Sequence, residues 1–256
     1  MKKKKRKIIH RTSTKKSVKK IPVLQAKSNS TGIVHSFGNP KVWLKVIESF
    51  ESKYQSKEKA DLITALSFNN FLQFKNISIT PKLKLSESIF RIVSTAYEVW
   101  SLAGSLSDGG RFNIGGAQQC ATIPHLKKFA SLYTASTLEC AMAEIAKPMG
   151  YSRCFKLTPK KEMELWDLNK VIEELDHPTL KDLVNSIPTE AIWGFQKVPL
   201  VSQILAAYLK SKGGDGIIFP SVKLPSAYNI SLFFDTDRQV KETFVIEDIK
   251  PINEII

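Results

Sequence analysis

Apolar positions recur along this chain with two periods, and the changes between them predict its elements. Val42, Trp43, Val46, Ile47 and Phe50 follow a helical spacing. They come after Asn39-Pro40, an N-cap followed by a proline suited to the first helical position. Leu62, Ile63, Leu66, Phe71 and Leu72 repeat that spacing and predict a helix over 57–75. Strand-like runs then dominate: Ser88 to Val93, Phe129 to Ala135, Phe155 to Leu157, Leu165 to Leu168, Ile217 to Phe219, Ile230 to Phe234 and Phe244 to Ile249. Between them, Ser136 and Glu139 form a Ser-x-x-Glu capping box. It predicts a helix to about Lys147, stopped by Pro148. Residues 169–186 and 199–211 also read as helices. The second has Pro199 near its start, Val201, Ile204, Leu205, Tyr208 and Leu209 on one face, and Gly213 just past its end.

No internal repeat is visible. The order of elements predicts an α+β fold, with mixed central sheets, flanking helices and an N-terminal helical extension. Three regions follow: a disordered basic tail over 1–37, a helical element over 38–80, and an α+β domain over 81–256.

Charge changes this picture at one end only. The formal net charge is +14, from 38 basic and 24 acidic residues in 256. Residues 1–20 hold 11 of the basic residues and no acid, so the remainder carries 27 against 24, or +3. The charge is therefore a tail and not a face of the fold. Such a tail attracts nucleic acid or an anionic membrane without sequence specificity, or simply stays solvated. No run of 18 apolar residues exists, so no membrane span is expected, and the first residues are too polar for a signal peptide. Cys120, Cys140 and Cys154 are odd in number and dispersed, which fits a reducing cytoplasm better than a disulfide framework. No Cys or His spacing suggests a metal site.

Candidate chemistry gathers around Gly109-Gly110-Arg111-Phe112-Asn113. Paired glycines permit a tight turn or a close approach. The arginine behind them presents a planar cationic fork suited to phosphate or carboxylate. Read alone, this is a surface turn. Glu144 lies off the apolar face of Leu138, Ala141, Met142 and Ile145 and reads as an exposed helix residue. Gly213-Gly214-Asp215-Gly216 lacks the Lys-Ser/Thr of a P-loop, and no G-x-G-x-x-G follows a strand, so a Rossmann-type dinucleotide site is not supported.

The order of these motifs resembles the RES family, toxins of bacterial toxin–antitoxin pairs. The resemblance rests on Phe90-Arg91-Ile92, Gly109 to Asn113, Tyr133-Thr134-Ala135-Ser136, Ala141-Met142-Ala143-Glu144 and Pro220-Ser221. Gln203 and Asn229 also look like family positions, and the likeness covers roughly residues 85 to 250. It implies a fold like that of ADP-ribosyltransferases and action on NAD as substrate, with cleavage of the nicotinamide–ribose bond. In that reading Glu144 stabilises positive charge at the anomeric carbon and Arg111 holds the pyrophosphate. Arg91 is a second phosphate ligand, and Tyr133 stacks on nicotinamide or bonds the ribose. Ser221 donates to a phosphate or an attacking group. Gly110 and Asn113 complete the substrate-binding turn. The family's antitoxins carry an Xre-type DNA-binding domain, so such a partner is expected as well.

Three functions follow. The first is an NAD-consuming toxin that transfers ADP-ribose to phosphate or water. The second is a protein ADP-ribosyltransferase. The third is a non-enzymatic nucleic-acid-binding protein acting through the tail.

Overall fold

The computed structural model describes residues 56–75, 80, 83–116, 123, 126–145, 152–177, 180–185 and 198–251, all within one unit, Ser49–Ile256. The basic tail and the helix expected after Asn39-Pro40 lie outside the described residues. Eight strands form one mixed sheet: β1 (Leu83–Leu85), β2 (Ile89–Ser94), β3 (Ala130–Ala135), β4 (Ser152–Pro159), β5 (Met163–Asp167), β6 (Gly216–Pro220), β7 (Tyr228–Phe234) and β8 (Phe244–Pro251). Their order is β1-β5-β6-β7-β3-β2-β4-β8. Only β5 and β6 run parallel; every other neighbouring pair is antiparallel.

Seven helices accompany the sheet among the described residues: α1 (Ser56–Phe74), α2 (Ala103–Asp108), α3 (Leu138–Glu144), α4 (Leu168–Leu175), α5 (Leu180–Asn185), α6 (Val201–Ser211) and α7 (Asp237–Thr243). Helices α4, α5 and α6 form the crossover that a parallel β5–β6 pair requires. No described helix is long and apolar enough to cross a membrane.

Alternation along the strands sorts the core. Ile89, Ala130, Leu132, Leu157, Leu165, Ile230 and Leu232 are nearly inaccessible and pack in one cluster. Phe90 and Ile92, one step out of phase on β2, pack instead against Ala135, Cys140, Ala141 and Ala227. Each fully buried aliphatic side chain contributes about 1.5–3 kcal/mol. That contribution fixes the register, because a one-residue slip would expose a whole row. On the helical side, α1 buries Leu62, Leu66, Phe68 and Leu72, and the Tyr208 hydroxyl of α6 donates to the Lys75 carbonyl at 3.0 Å.

Two expectations change. The helix over 169–186 is interrupted: Asp176 takes a left-handed φ of 46° and ends α4 before α5 begins. The capping box expected at Ser136 is replaced by a simple N-cap one residue later. Thr137 is the N-cap and accepts from Cys140 N–H, while the Ser136 hydroxyl accepts from Tyr228 N–H across the sheet. The described helix ends at Glu144.

Candidate active site

The glycine-arginine turn is built before anything can bind to it. Gly109 ends α2 with a φ of 77°, a conformation that favours glycine. Gly110 has a different reason to be glycine: a Cβ there would stand 2.5 Å from the Tyr133 hydroxyl oxygen and 2.9 Å from Asn113 Oδ1. The close approach that glycine permits here is to Tyr133. Gly110 and Asn113 exchange backbone hydrogen bonds across the turn, with Gly110 N–H donating at 3.0 Å and Asn113 N–H at 3.4 Å.

Side chains then close every remaining approach. The Tyr133 hydroxyl accepts from Phe112 N–H at 2.9 Å and donates to Asn113 Oδ1 at 3.0 Å. Asn113 Nδ2 donates to the Ser105 and Phe129 carbonyls. Burial pushes the Tyr133 phenol well above its ordinary value, so it stays protonated and can donate. The Phe112 ring is fully buried and meets Phe219 at 4.7 Å between centroids. Tyr133 and Asn113, expected to touch substrate, thus have their polar atoms committed to the turn.

What the turn presents is Arg111. Its guanidinium lies 5.0 Å from the Phe112 ring centroid and 5.2 Å from that of Phe219, both within cation–π range. Burial lowers its pKa; the fields of Tyr133 and Glu144 oppose that shift. Arginine remains charged at neutral pH.

Glu144 faces this turn across a cavity. The cavity measures about 290 Å³ and is lined by Phe90, Ile92, Arg111, Tyr133, Glu144 and Phe219, with Arg91, Asn229 and others at its wall. Glu144 Oε1 accepts from Ser221 Oγ and from Asn229 Nδ2, each at 2.6 Å. Charge-assisted bonds this short are the stronger class. Its Oε2 has no hydrogen-bond partner among the described residues. The Ser221 hydroxyl gives its single proton to Glu144 and accepts from Lys223 N–H and Leu224 N–H, so Ser221 acts on the carboxylate that faces the cavity.

Arg91 lines the same cavity from β2, where β2 and β3 meet at Phe90 opposite Ala135. Its Nη2 donates to the Ser101 carbonyl at 3.1 Å, and its Nη1 is buried with no hydrogen-bond partner. Burial pulls its pKa down to about 10, and the nearby Asp237 partly offsets this. The structure therefore gathers Arg91, Arg111, Tyr133 and Glu144 around one cavity, with Ser221 buried and bonded to Glu144, and Gly110 and Asn113 in the turn that carries Arg111. Cys140 lies beside the cluster. Its thiol donates toward Asn229 Oδ1 at 3.6 Å, and burial raises its pKa.

Residues outside the sequence-based set also matter. Phe219 is one: Ile217 and Phe219 share a strand face, and that alternation could have placed it beside Ser221. Asn229 was marked only as a family position. No periodicity signals that its amide would meet Glu144 from 85 residues away.

Comparisons with known proteins give a family match and a structural likeness. The family model of the RES domain matches residues 88–250. A chain from the crystal structure of the M. tuberculosis MbcT-MbcA toxin-antitoxin complex is similar at 13% identity, covering 73% of this chain and 93% of that chain, with a TM-score of 0.46. No curated protein matches the sequence.

Proposed function

This chain belongs to the RES domain family, and on that premise we propose that it is a toxin of a toxin–antitoxin pair that consumes NAD by breaking its nicotinamide–ribose bond. The observation that carries the reading is the pairing across one cavity of a cation and a carboxylate, one oxygen of which has no hydrogen-bond partner among the described residues. At about 290 Å³ the cavity is at the small end of ligand pockets, which run roughly 300–1,000 Å³. It suits the nicotinamide riboside half of NAD, with the remainder extending from the mouth.

The chemistry follows from the residues. As the bond from the ribose anomeric carbon to nicotinamide breaks, its electron pair leaves with nicotinamide and positive charge grows on the sugar. Glu144 supplies a fixed negative charge for that moment, and its uncommitted Oε2 is available to a ribose hydroxyl. Ser221 and Asn229 hold the other oxygen, so the carboxylate need not reorganise. Arg111 offers its fork to the pyrophosphate, and Arg91 lines the same cavity as a second cation. An oxygen of phosphate or water then bonds to the anomeric carbon; water releases its proton to solvent. Phosphorolysis is preferred to protein modification on family grounds, and hydrolysis is the alternative fate. An Xre-type antitoxin is the proposed partner, and the reading implies that it covers this cavity.

The test is direct. Purified protein is incubated with NAD, with and without phosphate and with candidate acceptor proteins, and free nicotinamide is followed. Release that disappears in Glu144→Ala supports the reading. No release by the intact protein under any of these conditions sinks it.

A further inference from the structure

The first turn of α6 makes contacts that the proposed chemistry does not require of a packing helix. Ser202 Oγ donates to the Arg111 carbonyl at 2.6 Å. Gln203 Nε2 donates both its protons, to the Gly110 carbonyl at 2.7 Å and the Asn113 carbonyl at 3.0 Å. Gln203 Oε1 accepts from Leu200 N–H at 2.8 Å, which satisfies one of the donors left open at the helix start. Ser202 is 3% exposed and Gln203 is inaccessible. Three carbonyls in a four-residue turn are thus held by two adjacent side chains from ninety residues away.

We propose that Ser202 and Gln203 are positioning residues: together they fix the backbone of the Gly110–Asn113 turn and so set where the Arg111 guanidinium stands in the cavity. The neighbouring contacts make this a specific role. On the opposite side the turn is held by the Tyr133 hydroxyl and the Asn113 amide, so it is clamped between β3 and α6. Loosening the α6 side alone leaves the arginine attached but free to tilt about the tyrosine. Buried hydrogen bonds whose partners stay behind are costly to lose, which is what makes the clamp stiff. A ligand phosphate would feel this through Arg111, whereas the carboxylate on the far wall would not.

The inference rests on the NAD reading for its kinetic test and on the turn alone for a spectroscopic one. In the full chain, Ser202→Ala should raise the KM for NAD five- to tenfold while kcat changes at least threefold less, and Ser202→Thr should restore KM. Gln203→Glu keeps the acceptor for Leu200 N–H but loses both donors, and should raise KM further. If Gln203→Glu does not fold, Ser202→Ala carries the test. A double variant Arg111→Ala/Ser202→Ala should be no worse than Arg111→Ala, because the serine acts through the arginine. Losses that simply add, or an unchanged KM in Ser202→Ala, would overturn the proposal. Independently of activity, the Arg111 Nε–H resonance should shift or double in Ser202→Ala. If the intact protein neither releases nicotinamide nor binds ADP-ribose yet that resonance moves, the NAD reading fails and the positioning role stands. An unmoved resonance overturns the positioning role whatever the activity.

Discussion

The two walls of the cavity are made differently. The Arg111 wall is a turn whose polar groups are bonded from β3, α2 and α6, with Phe112 and Asn113 fully buried. The Glu144 wall is the last residue of a seven-residue helix, solvent-exposed, with its carboxylate held at one oxygen by two donors from distant segments. The cation is thus part of the fold, and the carboxylate is placed on it. Removing the first kind of group should damage structure and binding together. Removing the second should damage chemistry alone, because little of the fold leans on it.

The largest expected effect breaks chemistry without breaking the fold. Glu144→Gln keeps the shape and an acceptor for Ser221 but removes the charge. It should lower the rate of nicotinamide release by about 10³-fold, as loss of a fixed transition-state group does, with a melting temperature close to that of the parent. A large fall in melting temperature would show that the two walls are not distinct in this way.

Next comes Gly110→Ala, which should behave oppositely. Its methyl would meet Tyr133 and Asn113 at contacts that real Cβ atoms do not show, and Tyr133 cannot yield without losing both its hydrogen bonds. Overpacking of this kind costs about 1–3 kcal/mol. Denaturant unfolding should register the loss, and binding of ADP-ribose should weaken with it.

The same contrast explains what the sequence could disclose. Strands with apolar runs were legible, and most fell within a residue or two of their observed bounds, because burial on a sheet face leaves a period of two. Short elements with little apolar content were not. β1 has three residues, α2 reads Ala-Gly-Ser-Leu-Ser-Asp, and α7 buries Val240 alone. A signal for α7 was nevertheless present: Thr236 and Gln239 form a capping box, and both of its bonds are made. Ser136 misled because two hydroxyls stand side by side there, and which one caps the helix depends on Tyr228 N–H from another strand. Glu144 was the extreme case. Helical periodicity correctly reads it as exposed, but its role depends on Ser221 and Asn229, 77 and 85 positions later.

Ser221→Ala sharpens the comparison at an intermediate scale. It removes one of the two donors to Glu144 and leaves Asn229 in place. The rate of nicotinamide release should fall roughly tenfold, in keeping with one charge-assisted hydrogen bond of about 1.5–3 kcal/mol partly compensated by the other. A loss as large as that of Glu144→Gln would mean that Ser221 touches the reacting atoms itself.

The smallest change in stability is expected at Arg91, which belongs to neither wall cleanly. It is buried like the Arg111 turn but incompletely paired like Glu144, since Nη1 has no partner. Its pKa of about 10 lies below the ordinary arginine value because burial disfavours the charged form. Below pH 10 both folded and unfolded chains are protonated there, so the full cost of burying the charge is present at neutral pH. Between the two values the unfolded chain holds a proton that the fold has released, and stability rises with pH. Arg91→Met, which fills similar space without charge, should therefore unfold at the same temperature as the parent or a few degrees higher at pH 7, and this advantage should shrink above pH 10. Its affinity for ADP-ribose should nonetheless fall, because a cation that lines the cavity is gone. A variant that melts much earlier would show instead that the Ser101 bond and the field of Asp237 make Arg91 part of the scaffold. A variant that binds ADP-ribose as well as the parent would remove Arg91 from the site and leave Arg111 to hold the ligand's phosphates.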